Sequence, residues 1–178
     1  MALSKQNPWQ RCWAYLVRDG ALPAGESGFE NVIYVGKAID TRRRWKRHET
    51  FASGAPLLNR YAGAKSYKMK YERITEGGLD AGFPLCRSDE IEAFFIAKYK
   101  TLHDPARNPR GCNAKNGEKI HELPLDWYER LQAELDEGYV WPVQPAEEPE
   151  HVVEARGGKL VGRRDVAGHA VVLNEVVE

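Results

Sequence analysis

The sequence lacks the long apolar segments that carry a chain into or across a membrane. It has no run of about 18 apolar residues, so we expect no membrane-spanning helix. The N-terminal stretch MALSKQNPWQRCW has no continuous apolar core of the kind found in signal peptides. We therefore expect a cytoplasmic protein that does not bind membranes.

Cysteine is scarce, with three residues in a chain of 178. Cys12, Cys86 and Cys112 are widely separated and form no Cys-x-x-Cys pair or other spacing typical of metal ligands. Unpaired cysteine is among the most buried residue types. We interpret all three as buried or incidental thiols.

The chain has no net charge, but its charges are unevenly distributed. The 26 Lys and Arg residues balance 26 Asp and Glu residues. Residues 1–120 hold 21 basic and 13 acidic residues, whereas residues 121–178 hold 5 and 13. The segment 37–73 alone holds 11 basic and 3 acidic residues. This asymmetry indicates a polyanion-binding surface and an acidic tail, although a basic face that contacts only solvent has the same composition.

Short β-branched or aromatic segments are mixed with amphipathic ones. The patterns predict strands over 12–17, 31–36 and 65–74, and helices over 41–52, 88–103 and 125–138. In the third strand Tyr67, Met69 and Tyr71 alternate with charged residues, which predicts a half-buried strand with a basic outer face. Because regular β-α-β alternation is missing, we expect an α+β domain over residues 1–120. The segment 121–141, which contains the third predicted helix, is expected to pack on this domain. Residues 142–178 predict an acidic, proline-containing linker and a tail, or a small hairpin around Gly157 and Gly158.

The first predicted helix places cations among its apolar residues. Its apolar sector contains Trp45, Phe51 and Ala52. Arg44 and His48, four residues apart, fall inside that sector and are neighbours on the helix surface. The remaining cations of the helix project elsewhere: Arg42, Arg43, Lys46 and Arg47.

The second predicted helix contains a carboxylate in its apolar stripe. Glu92 lies three residues before Phe95 and seven before Tyr99. Burying a carboxylate is costly unless it is paired or binds a metal. A capping box between Asp89 and Glu92 is a purely structural alternative.

Structural explanations also exist for the other inward polar residues. Arg44 could extend along the edge of a core, His48 could be a satisfied core-edge histidine, and Tyr15 and Tyr34 could be ordinary strand tyrosines. Together, however, these types suit phosphodiester chemistry. Arginine stabilises charge on phosphorus, glutamate binds a hard divalent ion, and tyrosine or histidine orients or deprotonates water.

The order and spacing of these residues resemble the GIY-YIG nuclease family. The stretch YVGKAIDTRRRWKRH resembles the second tyrosine motif and its helix, with Tyr34, Gly36, an arginine ten residues after the tyrosine and a histidine four later. The stretch EAFFI resembles the helix that carries the metal-binding glutamate, and GCNAKNGE resembles a loop with a structural asparagine, Asn113. The resemblance covers roughly residues 12–118 and is nearest to the homing-endonuclease-like and restriction-type branches.

The resemblance implies a small three-stranded antiparallel sheet flanked by helices, and a single-metal site that cuts DNA. In this site Tyr15 or Tyr34, assisted by His48, would position or deprotonate water, and Arg44 would stabilise the charge on phosphorus. Glu92 would bind Mg²⁺ or Mn²⁺, and Asn113 would tie its loop to the active-site face. Contacts to the DNA backbone are expected from Lys37, Arg43, Lys46, Arg47, Lys65, Lys68 and Lys70. A solvated Lys37 is equally compatible with the sequence.

The sequence departs from the family at its first motif, which reads Trp13-Ala14-Tyr15 and keeps only the tyrosine. The two tyrosines are 19 residues apart, a longer spacing than the family usually has. Residues 19–31 therefore resemble an insertion, which we hypothesise contacts DNA.

The subclass of nuclease is left open. The acidic residues 121–178 argue against a homing endonuclease with a basic DNA-reading region. A restriction-type or stand-alone phage or bacterial nuclease and a structure-selective or single-strand-specific repair nuclease remain as alternatives. Duplex cleavage by a single site would require a homodimer or successive nicks. A non-catalytic nucleic-acid-binding module and a basic protein-interaction domain are the rivals, and the acidic tail is a candidate docking segment for a protein partner.

Overall fold

The computed structural model describes residues 7–65, 69–117, 121 and 123–143, and the backbone of three short strands after residue 151. The chain divides into two compact units, Met1–Pro142 and Val143–Glu178. All residues of the candidate site belong to the first unit.

The first unit is built on a small antiparallel sheet. Strands β1 (Arg11–Asp19), β2 (Val32–Ala38) and β3 (Met69–Arg73) are arranged in the order β2-β1-β3. Strand β1 is central, because Tyr15 pairs with Gly36 on one side and with Arg73 on the other. A two-residue strand, β4 (Phe83–Pro84), pairs with the start of β1. The predicted α+β class is confirmed.

Among the described residues, four helices accompany this sheet: α1 (Thr41–Glu49), α2 (Pro56–Lys65), α3 (Ser88–Lys98) and α4 (Trp127–Glu137). Two short 3-10 helices cover Glu76–Ala81 and Leu85–Arg87. The sequence patterns predict α1, α3 and α4 but not α2. Pro56 suits the first position of α2, because its missing N–H would have no partner there.

Helix α1 turns Arg44 and His48 inward, as predicted. The Asp40 side chain caps the helix by accepting a hydrogen bond from the backbone N–H of Arg43 at 2.9 Å. His48 is buried and Arg44 is half-buried. The outward cations are exposed: Arg42, Arg43, Lys46 and Arg47.

The predicted extension of α1 to Ala52 is wrong. The helix ends at Glu49, and Phe51 adopts a left-handed backbone conformation with φ of 55°. This conformation turns the chain out of the helix. Phe51 is consequently 53% exposed and does not belong to the apolar face of the helix.

The capping box considered for Asp89 and Glu92 is not formed. Helix α3 begins at Ser88 with Arg87 at its N-cap, so Asp89 lies inside the first turn and is not the cap. Asp126 does occupy the N-cap of α4, but its side chain makes no capping hydrogen bond. The predicted stop at Gly138 is confirmed, since this C-cap residue has φ of 92°, which favours glycine.

The side chains of β1 alternate between two clusters on opposite faces of the sheet. The apolar cluster includes Ala14 and Leu16 of β1 and joins them to α3 and α4 through Ile91, Phe94, Phe95, Leu131 and Leu135. The aromatic cluster consists of Tyr15, Val17, Ile33, Tyr34, Ala55, Leu58 and Cys112. Leu58 of α2 is 2% exposed, so this helix contributes to the aromatic cluster.

The second unit contains strands β5 (Val152–Glu154), β6 (Val161–Arg164) and β7 (Ala170–Leu173), paired antiparallel in that order. The predicted hairpin turn at Gly157 and Gly158, and most of the predicted linker, lie outside the described residues. The third strand is an addition to the predicted hairpin. Within the described residues of the whole chain, no helix has both the length and the apolar character needed to cross a membrane.

Candidate active site

Three predicted site residues form one hydrogen-bonded group. Tyr15 projects from the central strand, and its hydroxyl lies 2.8 Å from Nε2 of His48 on α1. Arg44, one helical turn before His48, donates from Nε to the same hydroxyl at 3.3 Å. The spacing of four residues on α1 thus brings both side chains to one phenol.

Tyr34 lies beside this group on the neighbouring strand. Its ring centroid is 6.3 Å from that of Tyr15 and 5.5 Å from that of His48. Tyr15 is fully buried, whereas Tyr34 retains 8% exposure. Of the two phenols, Tyr34 is therefore the one nearer to solvent.

Gly36 makes room for the Tyr15 phenol. A Cβ atom at this position would lie 2.5 Å from the Tyr15 hydroxyl and 2.8 Å from Cε1 of Tyr34. The two residues are direct partners across β1 and β2. The glycine of the Tyr-Val-Gly motif is thus explained by close approach and not by an unusual φ.

Both tyrosines are held in the neutral form. Burial raises the pKa of Tyr15 well above 10, and the hydrogen bond and charge of Arg44 oppose this only in part. Burial also raises the pKa of Tyr34, and the nearby carboxylate of Glu92 raises it further. The charge of Arg44 acts in the opposite direction on the pKa of Tyr34. Neutralising Glu92 would remove the second largest cause that disfavours a Tyr34 phenolate.

His48 is a neutral imidazole at neutral pH. Burial lowers its pKa from 6.5 to about 4, and the charges of Arg44 and Arg47 contribute in the same direction. Its Nδ1 is buried and has no hydrogen-bond partner within the described residues. In the neutral form whose Nε2 accepts from Tyr15, the single ring hydrogen is on this Nδ1. The neutral ring can accept a proton from the Tyr15 hydroxyl.

Glu92 lies in an ion-pair group at the start of α3. Its Oε2 is 3.3 Å from Nζ of Lys37, and the same ammonium group contacts Asp89. Burial disfavours the charge on Lys37, but the carboxylates of Glu92 and Asp89 outweigh burial and raise its pKa. Lys37 thus bridges two carboxylates, and its contact with phosphate stays a prediction.

The carboxylates are chemically suited to a hydrated divalent ion. Mg²⁺ commonly binds one or two carboxylates and keeps several water ligands. The side chains of Glu92 and Asp89 are 13% and 31% exposed and meet at one ammonium group. In the described parts of the chain, no three or more His, Cys, Asp or Glu residues are grouped as a metal site. The donors fit an ion held mainly by water and one or two carboxylates.

Asn113 joins a distant loop to the strand that carries Tyr34. Its side-chain amide accepts from the backbone N–H of Val35 at 2.9 Å and donates to the Val35 carbonyl at 2.8 Å. The N–H of Cys112 adds a bond to the Ile33 carbonyl at 2.8 Å. The loop thus satisfies backbone groups along one edge of β2.

The predicted DNA-contacting cations do not all lie in one described patch. Arg43, Lys46 and Arg47 share the exposed face of α1, and Lys70 is exposed on β3. The Arg47 guanidinium also donates to the carbonyl of Ala52. The side chain of Lys65 and the whole of Lys68 lie outside the described residues.

The segment proposed as an insertion is anchored near its C-terminal end. Arg18 donates to the Gly28 carbonyl and to the Asn31 side chain, each at 2.8 Å. The Phe29 ring packs 4.8 Å from that of Tyr99. Residues 20–31 contain Glu26 and Glu30 but no lysine or arginine. Their charge gives no support to a DNA contact, which stays a hypothesis.

Two residues beside the site were missed by sequence reasoning. Tyr71 of β3 stacks on His48 with an interplanar angle of 13° and also stacks on Trp45. Asp89 binds Lys37 together with Glu92. The three-residue spacing of Asp89 and Glu92 on one helix face was the available signal for Asp89. The alternation of β3 indicated an inward Tyr71 but not its partner.

Comparisons of the chain with protein-family models, curated proteins and solved structures returned no match. The interpretation of the site therefore depends on its own geometry and on the spacing of its motifs.

Proposed function

We propose that this protein is a metal-dependent DNA endonuclease of the GIY-YIG type. The observation that carries the proposal is the convergence of Arg44, His48 and Tyr15 on one buried hydroxyl, next to Tyr34 and within electrostatic reach of Glu92. The packing of a hydrophobic core does not require an arginine and a neutral histidine at the same phenol. Attack on a phosphodiester does require a cation, a proton acceptor and an anionic ligand.

In the proposed reaction, a water molecule attacks phosphorus in line and the bond to the leaving 3′ oxygen breaks. Tyr34, the more exposed phenol, contacts the water. Tyr34 accepts a proton from the attacking water as it gives its own proton to Tyr15, and Tyr15 gives its proton to Nε2 of His48, which is neutral before the reaction. The leaving 3′ oxygen takes a proton from solvent. Arg44 stabilises the negative charge that develops on the phosphoryl oxygens.

Glu92, with Asp89 beside it, would hold the divalent ion. Mg²⁺ or Mn²⁺ would supply Lewis-acid stabilisation of the leaving oxygen. Lys37 pairs with both carboxylates and holds them close together. The exposed cations of α1 and Lys70 would contact the DNA backbone.

The test is cleavage of supercoiled plasmid and of single-stranded DNA with Mg²⁺, comparing wild type with Glu92→Ala. We expect wild type to cut and Glu92→Ala to bind DNA without cutting, with activity reduced by about 10³-fold or more. Glu90→Ala is the matched control, because Glu90 lies in the same helical turn but pairs with Arg87. Equal cutting by wild type and Glu92→Ala would contradict the proposed site.

A second candidate is a non-catalytic DNA-binding module with the same fold. The observation in its favour is that the single ammonium group of Lys37 already pairs with both Glu92 and Asp89. This function predicts salt-dependent DNA binding by wild type and Glu92→Ala alike, with no cutting by either. The preferred substrate, and the appearance of linear or nicked plasmid, would separate a restriction-type homodimer from a single-strand-specific repair nuclease.

A further inference from the structure

Phe51 is an exposed aromatic residue in an unfavourable backbone conformation. Its φ is 55°, which non-glycine residues adopt at a cost, and the side chain is 53% exposed. Neither feature is explained by packing, since Phe51 belongs to neither described cluster. Glycine or asparagine would serve a simple helix stop better.

The turn that presents Phe51 is held by several hydrogen bonds. The Phe51 N–H donates to the His48 carbonyl at 3.0 Å, and the Asn59 side chain donates to the Phe51 carbonyl at 3.1 Å. The N–H of Ala52 donates to the Arg47 carbonyl at 2.8 Å. The guanidinium of Arg47 donates in return to the Ala52 carbonyl. The local structure thus keeps the aromatic ring outward.

Along the chain, Phe51 lies close to both a site residue and the most basic segment. It follows His48 by three residues and directly follows the helix whose outer face carries four exposed cations. Between residues 41 and 52 there are five basic residues and one acidic residue, Glu49. Such a surface is complementary to a polyanion, and an aromatic ring within it is complementary to a nucleobase.

Other strongly exposed apolar residues lack this setting. Leu125 is fully exposed, but it lies between Pro124 and Asp126, just before helix α4, whose charged residues are mainly acidic. Charge complementarity therefore distinguishes Phe51 from Leu125, which serves as the matched control.

We propose that Phe51 stacks on an unpaired nucleobase of DNA whose backbone lies along the exposed face of α1. This inference rests on the proposed function only in taking DNA as the bound polyanion. Stacking contributes independently of sequence, because every base has an aromatic face. Phe51 would position a strand beside Tyr34 and Arg44 without contacting the reacting atoms.

The test measures binding of the full chain to labelled oligothymidylate and to an abasic oligomer of equal length and charge, with EDTA present. We expect Phe51→Ala to weaken oligothymidylate binding by about fivefold or more and to leave the abasic oligomer unaffected. The salt dependence of binding should not change, because no phosphate contact is removed. Phe51→Trp should keep the wild-type affinity for oligothymidylate, and Leu125→Ala should bind as wild type does.

Stability measurements separate this role from a structural one. Phe51→Gly should raise the unfolding temperature, because glycine adopts positive φ without strain, and yet should lose the same fraction of oligothymidylate affinity. A lower unfolding temperature with weaker binding to both oligomers would overturn the inference. Equal binding of both oligomers by wild type and Phe51→Ala would overturn it while leaving DNA binding intact. If wild type binds neither oligomer nor duplex DNA, the proposed function fails and the inference fails with it.

Discussion

The two faces of strand β1 have opposite chemistry, although their residues alternate along one strand. Ala14 and Leu16 pack into the apolar cluster with the phenylalanines of α3. Tyr15, between them, is just as buried but makes hydrogen bonds to an arginine and a histidine. Burial alone therefore does not identify a core position in this protein.

The two faces of this small sheet therefore have different roles, one in stability and the other in the chemistry of the candidate site. The apolar cluster excludes water over a continuous surface that α3 and α4 cover. The opposite face places the half-buried Arg44 and the buried His48 on one phenol, and this arrangement changes pKa values instead of maximising apolar contact. Variants on the first face should change stability, and variants on the second should change pH dependence and local geometry.

The largest expected effect on stability comes from the apolar face. Phe95 is fully buried, so Phe95→Ala should reduce the free energy of unfolding by about 3–5 kcal/mol. The cause is the loss of apolar burial and the cavity that remains. Urea unfolding followed by circular dichroism measures the change, with Leu125→Ala as an exposed control. A loss below about 1 kcal/mol would mean that the face is not closely packed.

A smaller effect, which depends on pH, is expected from the aromatic face. The folded protein holds His48 at a pKa of about 4, against 6.5 for an ordinary histidine. Between these values the unfolded chain binds a proton that the folded chain excludes, so stability falls as pH decreases. From pH 7 to pH 4.5, His48 should account for a loss of about 2–3 kcal/mol.

Urea unfolding of wild type and His48→Asn at both pH values measures this contribution. The variant should be less stable at pH 7, but its stability should depend less on pH than that of wild type. Parallel pH profiles for the two proteins would show that His48 is not held neutral by the fold.

The smallest effects compare two glycines of the first unit. Gly36→Ala should cost about 1–3 kcal/mol, because the new methyl group would overlap the Tyr15 hydroxyl. Gly63→Ala should stabilise by about 1 kcal/mol, since Gly63 lies in α2 with open space around its Cα. Thermal unfolding of both variants gives the comparison. Destabilisation of similar size at the two positions would contradict the role assigned to Gly36.

One part of the site was predictable because its residues are local in sequence. The 3.6-residue period of α1 placed Arg44 and His48 on the inward side, and their burial confirms it. Strand alternation likewise placed Met69 and Tyr71 on one face of β3, which their half-burial confirms. Such periods reflect backbone geometry, which neighbouring residues determine.

Other features were not predictable from local patterns. Helix α2 has only weak segregation of polar and apolar residues, and its stability comes from Leu58 packing into the aromatic cluster. The apolar character of Phe51 favoured a longer α1, yet a left-handed turn exposes it. Asp89 and Glu92 matched a capping pattern, but Lys37 of a different element binds both. For α2 and for Asp89 with Glu92, partners remote in sequence overrode the local preference.

The sequence alone predicts the α+β class, strands β1 to β3, the inward position of Arg44 and His48 on α1, and the set of residues proposed for chemistry. These follow from residue type, period and spacing along the chain. Only the tertiary structure decided that Arg44 and His48 meet at Tyr15, that Gly36 must leave room for that phenol and that Lys37 bridges Asp89 and Glu92. The physical reason is that hydrogen bonds, ion pairs and pKa shifts depend on distances of a few ångströms between elements far apart in sequence.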